Sequence, residues 1–203
     1  MTQLYLLGAV ALTMLLAVLA LSLIAPVQVA YTEEIVVEAP VEAVYDDIRL
    51  QERLMWWSAW PFETNSTCAV DGKDGEVGAK TLFFTKGKSA GYQEVTRLKK
   101  NEIVEMVLVG PGPPHRPRMT FELQSAGANR TRVLAYFVNE LPRPFNAIWK
   151  FAGFTKWTRE MHCKDLAGLK AFSEPPHKDA TGKIVGRPPE GLNPFVETAS
   201  SAV

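Results

Sequence analysis

The chain has 203 residues, enough for one domain of ordinary size plus extensions and a real core. Lys plus Arg number 22 and Asp plus Glu number 22, so the formal net charge is zero and no basic stripe points to a nucleic-acid partner. Cys68 and Cys163 lie far apart without C-x-x-C spacing; they build neither a required disulfide nor a metal site, and no cofactor is expected.

No charged side chain occurs from Met1 to Thr32, and Leu4 to Ala25 is a continuous apolar run with nine leucines. At about 1.5 Å per residue this run spans roughly 33 Å, the thickness of a bilayer's hydrocarbon core. It is too long for an ordinary signal-peptide core and no basic residue precedes it. Cleavage after Ala30 would put Gln28 where a small residue is wanted. The expectation is a retained single-pass anchor over residues 1–30 in the cell membrane. The lipid bilayer is its partner along 4–25. The first basic residue is Arg49, too distant to orient the span.

Tyr31 to Ala39 reads as a strand with one wetter face. Pro40 suits the first turn of a helix, whose apolar side is Val41, Val44 and Ile48. Asp46 and Asp47 are adjacent, point about 100° apart and make a poor acid/base pair; they read as a solvated face. A short helix or turn then carries Trp56, Trp57 and Trp60.

The middle of the chain reads as successive strands: Thr67–Val70, Gly78–Thr85, Tyr92–Leu98, Ile103–Val109, Met119–Leu123 and Thr131–Val138. Gly- and Lys-rich turns separate them, and Gly110-Pro111-Gly112-Pro113-Pro114 is a long breaker. Too few helices intervene for parallel crossovers, so the sheet is expected to be antiparallel. Pro144 to Phe172 is a long apolar-periodic segment. Its two stripes differ by about half a turn across Gly153, which predicts a break there or a helix buried on two sides. Residues 174–203 lose apolar periodicity and read as a flexible Pro-rich tail.

Several short stretches, in this order, resemble one known superfamily. They are the strand ending at Ala39, the helix entry Pro40-Val41-Glu42-Ala43, and Trp56-Trp57-Ser58-Ala59-Trp60. Gly75-Glu76-Val77-Gly78-Ala79, Asn101-Glu102-Ile103 and the closing Lys164-Asp165-Leu166-Ala167-Gly168-Leu169-Lys170 follow. Together they are similar to the START-like (SRPBCC) superfamily, in its polyketide cyclase-like branch, some of whose members carry an N-terminal membrane anchor. The resemblance covers about residues 31–172. It implies an α+β helix-grip fold over 31–173: an antiparallel sheet of about six or seven strands curled around a long C-terminal helix, with an apolar cavity between them. One transmembrane helix precedes it.

Such a cavity makes Trp56, Trp57, Trp60, Phe83, Tyr92, Glu105, Phe121, Tyr136, Trp157 and Met161 the candidate ligand-binding residues. Glu105 and Tyr136 would serve as polar handles if their strand register turns them inwards. The tryptophan cluster can line the cavity mouth, dip into the lipid interface or simply pack the core. The aromatics from Phe145 to Trp157 either fill the cavity or lie at a membrane surface. No nucleophile motif, phosphate loop or metal spacing is seen, and His115, His162 and His177 are scattered. The leading expectation is a membrane-anchored module that binds a hydrophobic small molecule of the lipid or quinone class. An accessory subunit docking other membrane-protein subunits is the alternative. A cyclase- or hydrolase-type enzyme rests on the resemblance alone.

Overall fold

The computed structural model describes residues 1–111, 115–175, 177–178 and 184–185. Helix α1 runs Thr2–Ile24 and is long and apolar enough to cross a membrane; of its own residues only Ser22 is buried against the rest of the chain. After Ala25, Pro26 and Val27 comes β1 (Gln28–Val37), then three helical pieces, α2 (Val41–Arg49), α3 (Gln51–Trp57) and α4 (Trp60–Glu63). Strands β2 (Ser66–Asp71), β3 (Lys80–Thr85), β4 (Lys88–Lys99), β5 (Ile103–Val109), β6 (Arg118–Gly127) and β7 (Arg130–Glu140) follow, then α5 (Phe145–Phe151) and α6 (Phe154–Ser173).

The strands form one seven-stranded antiparallel sheet in the order β1-β7-β6-β5-β4-β3-β2. Only the β1–β7 pairing joins strands distant in sequence, so β1 and β2 become the two edges. Alternation along the strands turns Val104 and Met106, Met119, Phe121 and Leu123, and Val133, Ala135 and Phe137 inwards. Against this concave face lie Val44 and Ile48 of α2, Leu54 and Trp57 of α3, and Leu166, Leu169 and Phe172 of α6. Helix α6 is the element the sheet grips.

Its seat depends on one small residue. A Cβ on Gly168 would stand 2.1 Å from the Trp57 carbonyl oxygen, so only glycine lets α6 approach the end of α3 this closely. Of the two readings offered at Gly153, the break is the one observed: its φ of 76° ends one helix and caps the next. The gripped helix therefore starts at Phe154, and α5 is a separate element.

Two expectations need correction. Strand β1 starts at Gln28, within the segment assigned to the anchor, because Gln28–Ala30 pair with Val138–Glu140 of β7. Asp47 is not on a solvated face. It is buried and ion-paired with Arg53 at 2.8 Å, whereas Asp46 binds Arg49 from a half-exposed position. Of the stretch read as a tail, His177–Lys178 pairs antiparallel with Ile184–Val185; the rest of 176–203 lies outside the described residues, as do residues 112–114 of the Pro-rich loop.

Candidate functional site

The depth of the grip is filled. Leu54, Trp57, Met119, Phe121, His162 and Asp165, with Trp60, Gln93 and Leu108 on the side of the mouth, close around a void of only about 20 Å³, room for about one water. Trp57 does much of the filling: it is 4% exposed, meets Phe121 edge-on at 6.3 Å and donates its indole N–H to the Asp47 carbonyl at 2.9 Å.

The usable space lies at the mouth. A pocket of about 250 Å³ opens between α4 and the ends of β3, β4 and β5. Trp60, Phe83, Tyr92 and Leu108 supply apolar wall, with Gln93 also on the lining. A row of hydroxyls forms another side: Thr64 to Ser66 at 2.8 Å and Ser66 to Thr85 at 2.8 Å, with the Thr64 hydroxyl also donating to the Trp60 carbonyl at 2.6 Å. The rim is shaped by a bulge. Phe83 pairs Gly91 and Phe84 pairs Ser89, so Ala90 is the extra residue of β4 and lines the pocket. Gly91 makes the bulge possible, with φ 110° and no room for a Cβ, which would lie 2.1 Å from the Val109 carbonyl oxygen.

Three of the ten sequence-predicted residues, Trp60, Phe83 and Tyr92, meet in this pocket. Trp57 and Phe121 line the inner void, Met161 is core, and Trp56 is partly buried at the core's edge. Trp157 is 45% exposed and sits edge-on to Trp60 at 5.2 Å, outside the pocket. Glu105 and Tyr136 point to the opposite, outer face of the sheet because Val104, Met106, Ala135 and Phe137 take the inner positions. There Glu105 accepts from Thr120 and pairs with Arg97, and Tyr136 donates to Glu122. They are not handles of this pocket.

Sequence reading gave no role to the polar groups that sit behind the mouth. The Asp165 carboxylate accepts from the Ala59 backbone N–H at 2.6 Å and from the Ser58 hydroxyl at 3.1 Å, tying α6 to the corner between α3 and α4. Burial pushes its carboxyl up to about 7, against the downward pull of those bonds. One turn earlier, His162 is 3% exposed, and burial pushes it down to about 4, so it is neutral at physiological pH. Its Nδ1 lies 2.8 Å from the Tyr31 hydroxyl, which burial and the Glu33 carboxylate hold well above the ordinary phenol range. The His162 ring packs among Phe137, Tyr31 and Trp60. These groups face a space too small for a substrate, and their bonds hold the back wall of the mouth in place. The signal was the Asp165 within the closing motif; the hydrogen-bond partners come from 106 residues away and carry no local pattern.

No family profile and no curated protein matches the chain. Solved structures do. A protein from Nitrosospira multiformis is 21% identical, covering 70% of this chain and 94% of its own, with a TM-score of 0.53. One from Chromobacterium violaceum is 20% identical over 72% and 97%, with a TM-score of 0.52. Norcoclaurine synthase from Thalictrum flavum, at 12% identity over 70% and 94%, also reaches 0.52. The likeness shows the fold, an α+β helix grip. In this chain the larger open volume lies at the mouth and the space between sheet and helix is nearly filled.

Proposed function

We propose that this protein is a membrane-anchored binding module of the polyketide cyclase-like branch, holding a hydrophobic small molecule at the mouth of its helix grip. The observation that carries the reading is the 250 Å³ pocket of Trp60, Phe83, Tyr92 and Leu108 beside the Thr64–Ser66–Thr85 hydroxyl row. Its volume is just below the roughly 300–1,000 Å³ of sites that enclose drug-sized ligands. It suits a ring or a short chain segment bearing one hydroxyl or carbonyl, as in a quinone or a lipid alcohol, and not a whole diacyl lipid.

Retention of the anchor has structural support. Cleavage after Ala30 would remove the first three residues of β1 and strip partners from β7. The end of α1 is also bonded into the domain: the Asn146 carboxamide donates to the carbonyls of Ser22 at 2.8 Å and Ala25 at 2.9 Å, and Arg143 donates to Ser22 at 3.0 Å. Carbonyls in the last turn of a helix have no partner within the helix, and these bonds supply one.

Native mass spectrometry of the full chain, extracted gently from its own membrane, tests the reading. The expected result is a single chain with residues 1–25 intact and a reproducible apolar adduct. Thr85→Trp, which fills the pocket from its hydroxyl side, removes that adduct while the protein stays folded. A bare chain, an adduct that survives Thr85→Trp, or stoichiometric partner subunits in its place would overturn it.

A further inference from the structure

Helix α5 and the first turn of α6 carry a surface that the pocket does not explain. Phe145, Ile148 and Phe151 recur every three residues on α5 and are 38%, 46% and 57% exposed; Phe154 and Trp157 continue the face at 41% and 45%. The inward side of α5 is taken by Asn146, Ala147 and Trp149, so these five side chains are apolar surface turned outwards. Basic residues lie beside them. From Leu141 to Arg159 the sequence has four, Arg143, Lys150, Lys156 and Arg159, and no acidic one, although Arg159 pairs with Glu33 and Lys156 with Glu160 at 3.8 Å.

Position says what covers this face. The buried Asn146 on α5 makes the bonds that hold the last turn of α1, so α5 sits where α1 ends. The same end of the sheet also carries the pocket. Gln28 pairs Glu140, Val138 pairs Arg118, Arg118 pairs Val107, Val109 pairs Tyr92, and Thr85 pairs both Lys88 and Ser66. The start of β1 and the pocket rim thus lie along one edge, with β4 four strand spacings, roughly 20 Å, from β1. The Trp157–Trp60 contact joins the exposed face to the pocket wall.

The geometry points to a second membrane contact: the α5–α6 aromatic face seats in the interface of the bilayer that α1 spans, its basic residues among anionic headgroups, and brings the pocket rim to headgroup level. The ligand class follows, an amphiphile that enters laterally from the bilayer and not from bulk water. This inference rests on the anchored reading above. Amphipathic helices with Trp and Phe on one face and Lys and Arg beside it lie in this layer.

The test is the depth of nitroxide labels on the full chain in liposomes of phosphatidylcholine and phosphatidylglycerol, in a Cys163→Ser background. Cys68 is buried and stays unlabelled. Single cysteines replace Ile148, Phe151, Trp157 and Lys88, with Lys100, in the turn at the far end of the sheet, as the control. All five positions are exposed, so none disturbs the core. The labels at 148, 151 and 157 are expected to be several-fold more accessible to oxygen than to a water-soluble nickel chelate, the label at 88 to be intermediate, and the label at 100 to show the reverse preference. Labels at 148, 151 and 157 as wet as the control would overturn the membrane contact, and a label at 88 matching the control would overturn the position of the rim. Labels shielded from both reagents would overturn it too, in favour of a protein partner. Wet labels with the pocket adduct retained sink this inference alone. Dry labels without an adduct sink only the ligand reading, and loss of residues 1–25 from the mass sinks both.

Discussion

One apolar-periodic segment, Pro144 to Phe172, is used in two opposite ways on either side of Gly153. C-terminal to it, Met161, Leu166, Leu169 and Phe172 are at most 7% exposed within the grip. N-terminal to it and just beyond, Phe145, Ile148, Phe151, Phe154 and Trp157 face outwards at 38–57%. The periodicity is equally plain in both halves. It identifies which side of a helix is apolar, and leaves open whether a sheet or another medium lies opposite.

The comparison breaks most sharply at the close approach of α6 to α3. Gly168→Val places a branched side chain against the Trp57 carbonyl, and Leu169→Ala opens a cavity at a position with no exposure. Leu169→Ala is expected to cost about 2–5 kcal/mol, and Gly168→Val at least as much, read as lowered midpoints in denaturant melts of the full chain in micelles. Midpoints within error of the parent would mean that α6 is not the gripped element.

Much of this division was legible beforehand. About six or seven antiparallel strands follow from alternation and turn residues, and seven form; the half-turn phase shift at Gly153 allowed a break or a helix buried on two sides, and the break is the one observed. The facing of Glu105 and Tyr136 was not legible, since a one-residue change of register exchanges inside for outside. Core packing was among the readings offered for the tryptophan cluster and holds for Trp57, but periodicity gives only the apolar face of α3 and not the fit of Trp57 against Phe121. Asp47 was misread because two adjacent aspartates on a helix suggest solvent, while the partner that permits its burial, Arg53, lies in the next helix.

A second, smaller effect sharpens the buried half through pH. Between its ordinary value of 3.8 and about 7, Asp165 keeps a proton in the folded chain that the unfolded chain has lost, so its contribution to stability falls as pH rises. Between about 4 and 6.5, His162 lacks a proton that the unfolded chain holds, so its contribution rises with pH. The windows overlap and the signs oppose, at about 1.4 kcal/mol per pH unit for each proton. Asp165→Asn should therefore unmask a stability that climbs by a few kcal/mol from pH 4 to 6.5. His162→Gln should unmask one that falls by a similar amount from pH 4 to 7. Denaturation profiles in which both variants parallel the parent would refute the assignment.

The smallest effect belongs to the outward half. Phe151→Ser removes an aromatic ring that supports no core residue, and should change stability in micelles by no more than about 0.5 kcal/mol. A loss of 2 kcal/mol or more would place Phe151 inside the fold and erase the distinction between the halves.

The join between α1 and the domain also governs how the protein meets anything else. A flexible leash of n residues lets a domain roam about 5–6 Å × √n from its point of attachment. Here only Pro26 and Val27 separate the cap of α1 from β1, and the bonds from Asn146 and Arg143 to Ser22 and Ala25 remove most of the freedom those two residues leave. With α1 in a bilayer, the domain is a turret fixed to its mast and not a buoy on a line. The pocket then keeps one height and one tilt relative to the axis of α1.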